Sequence, residues 1–137
     1  MEKTDRTSIS RLAGRGSYDI HQINAILDEA LLCTVSYVEQ GRPFSIPTGF
    51  VRVGNQLVIH GSVGSHFMRQ IADGRDLCVV ITLLDGLVLA RSIFDSSMNY
   101  RSVVLFSKAV TVDALEEKRK YFEAYTEKVL PGRWADV

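Results

Sequence analysis

From Leu32 onward the spacing of apolar residues changes from the helical period to the alternation of strands, and the strand-like runs are separated by turn signals rather than crossover helices. LCTVSYVE leads to a QGRP turn, FSIPTGFVRV follows, and Gly54-Asn55 is a two-residue hairpin signal into QLVIHG. Runs joined so tightly pair antiparallel, because a parallel neighbour needs a crossover of about a dozen residues or more. DLCVVITLL and LVLARSI flank Asp85-Gly86, which reads either as a turn or as a bulge inside one long strand. YRSVVLFSKAVTV adds a further strand, apolar on both faces near its start, where an interface is expected. The parallel rhythm of a dinucleotide-binding fold is absent, and so is GxGxxG.

Helical patterns frame and interrupt these strands. Asp19, with Gln22 three residues on, opens a helix as a capping box, and Ile20, Ile23, Ile26, Leu27, Ala30 and Leu31 follow at helical spacing. A short helix over residues 65–73 places Phe67, Ile71 and Ala72 for burial and stops near Gly74. Leu115 to Val129 is charged, with a narrow stripe of Leu115, Phe122, Tyr125 and Val129. These elements predict an α+β chain built on a small barrel or strongly curled sheet. At 137 residues it fits one domain, 1–137, with the polar residues 1–17 as a flexible arm ordered only where it docks.

Sixteen basic residues balance sixteen acidic ones, so no long-range field favours nucleic acid or an anionic membrane, and neither is expected as a partner. The longest apolar runs, such as LCVVITLL, are far short of a membrane span and nothing resembles a signal peptide, so a cytoplasmic protein is expected. Cys33 and Cys78 lie in apolar runs with no CxxC or ligand spacing, which predicts buried thiols and no metal site; a disulfide between adjacent strands is the alternative.

The segment NQLVIHGSVGSHFMR runs a strand through a Gly/Ser loop into a helix. The first turn of a helix carries orphan amide donors and partial positive charge, which suits a phosphorylated ligand. Ser62 or Ser65 caps the helix, Gly61 and Gly64 allow close backbone approach, and His60, His66 and Arg69 offer donors or charge. An ordinary strand-to-helix loop with a serine cap is the competing account. Pro47 interrupts its strand and so frees neighbouring backbone groups for a ligand, unless it only marks an edge or bulge. No Ser/His/Asp order or pair of carboxylates suggests a hydrolase.

Taken together, RGSYD, GRPFSIPTGF, LVIHGSVGSHFMRQI, LLDGLVLARSIFDSSMNYRSVV and PGRW resemble the pyridoxamine 5′-phosphate oxidase-like, FMN-binding split-barrel family, especially its small branch related to nitroimidazole-resistance proteins. The resemblance implies a six-stranded antiparallel split β-barrel with flanking helices, a homodimer, and one FMN at each of two sites between subunits. By position, Ser45, Ile46, Pro47, Thr48 and Gly49 would pass the isoalloxazine ring, and His60, Gly61 and Ser62 the ribityl chain and phosphate. Ser65 and His66 would begin the phosphate-binding helix, while Asn99, Tyr100, Arg101 and Ser102 would approach the flavin from the other chain. Arg15 and Tyr18 also match family positions. Many relatives follow the serine with Arg-Lys, whereas this chain has His66-Phe67; Arg69, or Arg101 of the other subunit, is expected to compensate.

The expected function is an FMN-dependent oxidoreductase acting on a small molecule such as a nitro compound or quinone-like acceptor. The flavin would supply the chemistry and His60 is the candidate for proton delivery. The alternatives are a non-catalytic flavin- or haem-binding module and a dimeric interaction protein. Pyridoxamine phosphate oxidation itself is disfavoured, because enzymes of that activity carry further C-terminal basic residues, and the sequence ends at Val137.

Overall fold

The structure is a computed structural model and describes residues 3–9, 13–62 and 64–136. Helix α1 (Ile20–Glu29) starts where the Asp19 carboxylate accepts the His21 N–H at 2.9 Å. The cap is this single bond; Gln22 does not return the second bond of the expected capping box. Ile23 and Leu27 turn the apolar face of α1 into the core.

Strands β1 (Leu32–Glu39), β2 (Arg42–Gly49), β5 (Leu77–Val88) and β6 (Ser97–Ser107) form an antiparallel sheet in the order β2-β1-β5-β6. Strands β3 (Val51–Val53) and β4 (Gln56–Val58) form a separate two-stranded ladder closed by the Gly54-Asn55 turn, with Gly54 at φ +61°. FSIPTGFVRV is therefore two strands, not one. The chain leaves the first sheet at Phe50, whose side chain is fully buried and fixes the corner.

Alternation sets the two faces of the large sheet. Cys33, Val35 and Tyr37 of β1, Leu77, Val79 and Ile81 of β5 and Val103 of β6 point inward, joining Ile23, Leu27, Phe50 and Ile71 in the core. Each such large apolar side chain contributes about 1.5–3 kcal/mol by leaving water. Cys78 lies opposite Ser36, so it points to the outer face while Cys33 points inward. The two thiols are free, and opposite faces rule out the disulfide alternative.

Asp85-Gly86 resolves as the bulge: the register jumps between Leu84 and Gly86, leaving Asp85 as the extra residue in one long β5. The reversal instead falls at residues 89–96, where a 3₁₀ turn (Ile93–Asp95) is capped by Ser92. Strand β6 stops at Ser107, short of the expected end, because its ladder partner β5 begins at Leu77 opposite it. Helix α2 (His66–Ile71) crosses beside the core, and α3 (Leu115–Val129) has no fully buried residue and lies along β3. In the arm, Asp5–Thr7 is a 3₁₀ turn with a Thr4/Thr7 capping box, and the Tyr18 hydroxyl donates to the Thr7 carbonyl at 2.6 Å. Among the described residues no helix is long and apolar enough to cross a membrane. The architecture is mixed α+β with an antiparallel sheet and three α-helices, consistent with a split barrel.

Candidate functional site

Ser45, Ile46, Pro47 and Thr48 pair in register with Ser36, Val35, Thr34 and Cys33, so β2 runs unbroken through Pro47. The interruption expected at that proline does not occur. Because β2 is the last strand of its sheet, its outward backbone groups lack a ladder partner for that reason instead, and an edge strand tolerates proline. The Ser45 and Ser36 hydroxyls bond at 2.7 Å, and the Thr48 hydroxyl reaches only its neighbour, the Gly49 carbonyl, at 3.4 Å.

Gly49 and His60, distant in sequence, meet under one side chain of α3. The Tyr125 phenol lies so close over Gly49 that a methyl group there would collide with its oxygen. The same ring meets the His60 imidazole edge-on at 4.8 Å between centroids, and Phe122 flanks it at 5.5 Å. His60 itself is exposed and makes no hydrogen bond among the described residues.

Lys128 holds α3 in this position. Its ammonium donates to the Leu27 carbonyl at 3.0 Å and the Phe50 carbonyl at 3.3 Å, and stands 4.0 Å from the Phe50 ring centroid. Leu27 is in the last turn of α1, so the lysine also complements that helix's negative end. Burial draws the Lys128 pKa below its ordinary value. Tyr125, Phe122 and Lys128 are visible in the sequence only as a stripe and a charge on a polar helix.

In the Gly/Ser loop the Ser62 hydroxyl accepts the Gly64 N–H at 3.2 Å, the Ser62 carbonyl accepts the Ser65 N–H at 2.9 Å, and Ser65 caps α2 by accepting the Met68 N–H at 3.3 Å. Gly61 is explained by packing: a methyl group there would meet Met68 Cγ at 2.6 Å. A methyl group at Gly64 would make only an ordinary contact, with Ser62 Oγ at 3.7 Å. His66 turns to Glu39, Nε2 to Oε2 at 3.1 Å, so it is committed to a carboxylate. Arg69 is exposed and has no hydrogen-bond or ion-pair partner among the described residues.

Tyr100, Arg101 and Ser102 lie on β6 opposite Leu84, Leu83 and Thr82. Tyr100 and Ser102 are exposed. Arg101 is not available in the same way: it donates to both Asp85 oxygens at 2.9 Å and to the two Glu29 oxygens at 2.8 and 3.1 Å. Those hydrogen bonds hold the Asp85 and Glu29 carboxyls below their usual range and raise the arginine's own pKa. The cluster ties the bulge of β5 to the C-terminal end of α1. Since β6 and β2 are opposite edges of the sheet, with two strands between them, Tyr100–Ser102 and Ser45–Thr48 lie on strands about 14 Å apart at ~4.8 Å per strand and are offset along them as well, because Ser45 and Pro47 are level with Phe106 and Val104.

Beside the aromatic contacts at His60, the described residues thus offer two loop serines, the uncommitted guanidinium of Arg69 and an edge strand with free backbone groups. The antiparallel sheet with its flanking helices is the architecture of a split-barrel-type protein. Residues 19–137 match the pyridoxamine 5′-phosphate oxidase family, and the chain belongs to it. Among solved structures, the FAD and heme binding protein from Mycobacterium smegmatis is 44% identical with a TM-score of 0.82, covering 88% of this chain and 58% of its own. The flavocytochrome Anf3 from Azotobacter vinelandii is 33% identical with a TM-score of 0.88, covering 98% and 62%. A protein from Bacteroides thetaiotaomicron assigned to 5-nitroimidazole antibiotic resistance, 21% identical with a TM-score of 0.68 over 82% and 67%, shares the fold. The chain spans about three-fifths of the length of the first two. No curated protein matches it significantly.

Proposed function

We propose that this chain is a flavoprotein working as a homodimer, with each flavin held between subunits, and that it is an oxidoreductase for a small acceptor. The observation that carries the reading is the division of the donor set: Ser45–Thr48 and Tyr100–Ser102 occupy opposite edges of one sheet, and a second copy supplies the missing edge. The β5–β6 hairpin supports it, since Leu87, Leu89, Ile93 and Phe94 are 65%, 83%, 83% and 95% exposed and form an apolar surface suited to burial against another copy. In this arrangement Tyr100 and Ser102 face the partner's cofactor and Arg101 positions their strand through Glu29 and Asp85. The six strands would complete the split barrel around that dimer.

The flavin is expected to be FAD rather than FMN. The terminal phosphate of FMN is a compact monoester with a charge near −2 at neutral pH, whereas FAD spreads a similar total over two bridged phosphates of one charge each. With Arg-Lys replaced by His66-Phe67, His66 engaged by Glu39 and Arg101 by two carboxylates, the uncommitted guanidinium of α2 is Arg69, a setting better suited to the more dispersed charge. The 44% identical FAD and heme binding protein supports the same choice. When bound, the flavin supplies hydride or electron transfer; this chain's residues bind and orient it and exclude water. Titration of the purified protein with FAD and with FMN, followed by flavin fluorescence quenching, tests the reading: FAD should bind at least about tenfold more tightly, and Arg69→Ala should lose most of that affinity. Absence of binding by both flavins would remove the proposal.

Haem is a second reading, favoured by His60. Its exposed imidazole has no hydrogen-bond partner among the described residues and is flanked by two aromatic rings, so a ring nitrogen would be free to hold a haem iron. Haemin added to the protein should give a Soret shift that His60→Ala abolishes; equal spectra for the two proteins would refute this role.

A further inference from the structure

One transverse row of the outer sheet face runs Phe106, Cys78, Ser36, Ser45 across all four strands, as the strand registers dictate. Arg6 lies on this row: its guanidinium is 4.0 Å from the Phe106 ring centroid, and it lines a cleft of about 380 Å³ together with Ser36, Pro43, Arg75 and Cys78. It makes no ion pair among the described residues, so the ring is its partner. The segment that carries it is folded on itself by the Thr4/Thr7 capping box and by the Ser8 hydroxyl on the Thr4 carbonyl. It is tied to the body by the Tyr18–Thr7 hydrogen bond, the Lys3 ammonium near the Tyr18 ring at 5.7 Å, and Arg6 on Phe106. None of residues 3–9 is buried.

We infer that residues 3–9 form a releasable strap that closes the outer sheet face over Cys78 and governs the access of small molecules to that cleft. A preformed turn lowers the entropy of docking, while one part-buried hydrogen bond and two cation–ring contacts set against the ordering of seven residues leave the strap weakly held. Release widens access to the half-buried Cys78 and Ser36 at once. The open population, and hence the rate at which an external reagent reaches Cys78, depends on each tie separately.

Cys78 reports on the strap without interference. Cys33 is 2% exposed and burial pushes its thiol up to about 11, so native-state alkylation reads Cys78. The experiment is pseudo-first-order labelling of the full chain with N-ethylmaleimide, followed by intact mass, with Cys78→Ser as the blank. Loss of an exposed cation–π contact should raise the rate about two- to fivefold in Arg6→Ala. Tyr18→Phe should raise it similarly, and a chain lacking residues 1–9 should set the upper plateau. In a Phe106→Ala background, Arg6→Ala should add little, because both ends of the contact are then gone. Unchanged rates in Arg6→Ala, Tyr18→Phe and the shortened chain would overturn the strap. A slower rate in Arg6→Ala would also overturn it, showing that the guanidinium acts on the thiolate charge and not as a cover. The readout needs no flavin, so it is independent of the flavoprotein reading.

Discussion

Replacing Lys128 by methionine keeps most of the apolar stem and removes the ammonium that ties α3 to the body. The wild-type group makes two hydrogen bonds to carbonyls, each of a kind contributing about 1.5–3 kcal/mol when one partner is charged, plus a cation–π contact of roughly 0.5–2 kcal/mol. Against this stands the desolvation that draws its pKa down, and the group remains partly open to water, so the gross figure is heavily discounted. A net loss of about 1–2 kcal/mol remains, equivalent to a Tm lowered by about 3–10 °C in a chain of this size. Thermal melts followed by circular dichroism measure it directly. Lys128→Met should also loosen Tyr125, one turn away, and with it the ring contact to His60. A Tm within about 1 °C of wild type, less than about half a kcal/mol, would refute the view that this ammonium anchors α3.

Gly49→Ala should cost about 1–3 kcal/mol by forcing Tyr125 outward, and Tyr125→Phe should recover much of it by removing the colliding oxygen; a double-mutant cycle in urea checks the coupling. Glu29 and Asp85 have carboxyl pKa values held down by Arg101, so their contribution is complete above the unfolded carboxylate range, near pH 4, and is lost as pH falls below it. Arg101→Met should flatten that acid limb in pH-dependent melts, and an unchanged slope would contradict the assignment. Glu39→Gln should release His66 from its carboxylate partner and leave the fold intact, with a Tm within about 1 °C of wild type in thermal melts.

Local chemistry makes several elements legible in the sequence. The Asp19 start of α1, the Gly54-Asn55 hairpin and the Ser65 cap of α2 each depend on residues adjacent in the chain. The bulge at Asp85 is one of two readings the sequence allows, because turn and bulge share the same residues until the partner strand is known. What stays hidden depends on contacts across long stretches of chain. Arg101 meets Glu29 across 72 positions and Lys128 meets Leu27 across 101, and neither spacing leaves a periodic trace. Pro47 misleads for a related reason: a proline breaks a central ladder but sits quietly on an edge, and which strand forms the edge is a property of the whole sheet. Of the site, the loop from His60 to Arg69 is readable as a unit, whereas the aromatic cover from α3 is not.

A flavin held between two copies of the chain is the central claim. Sedimentation velocity of the protein mixed with FAD, recorded in the flavin's visible band and in the protein band together, measures both halves of that claim at once. The expected result is one boundary at the mass of two chains carrying one flavin per subunit. Visible absorbance left behind with free FAD while the protein sediments as a single chain would contradict it.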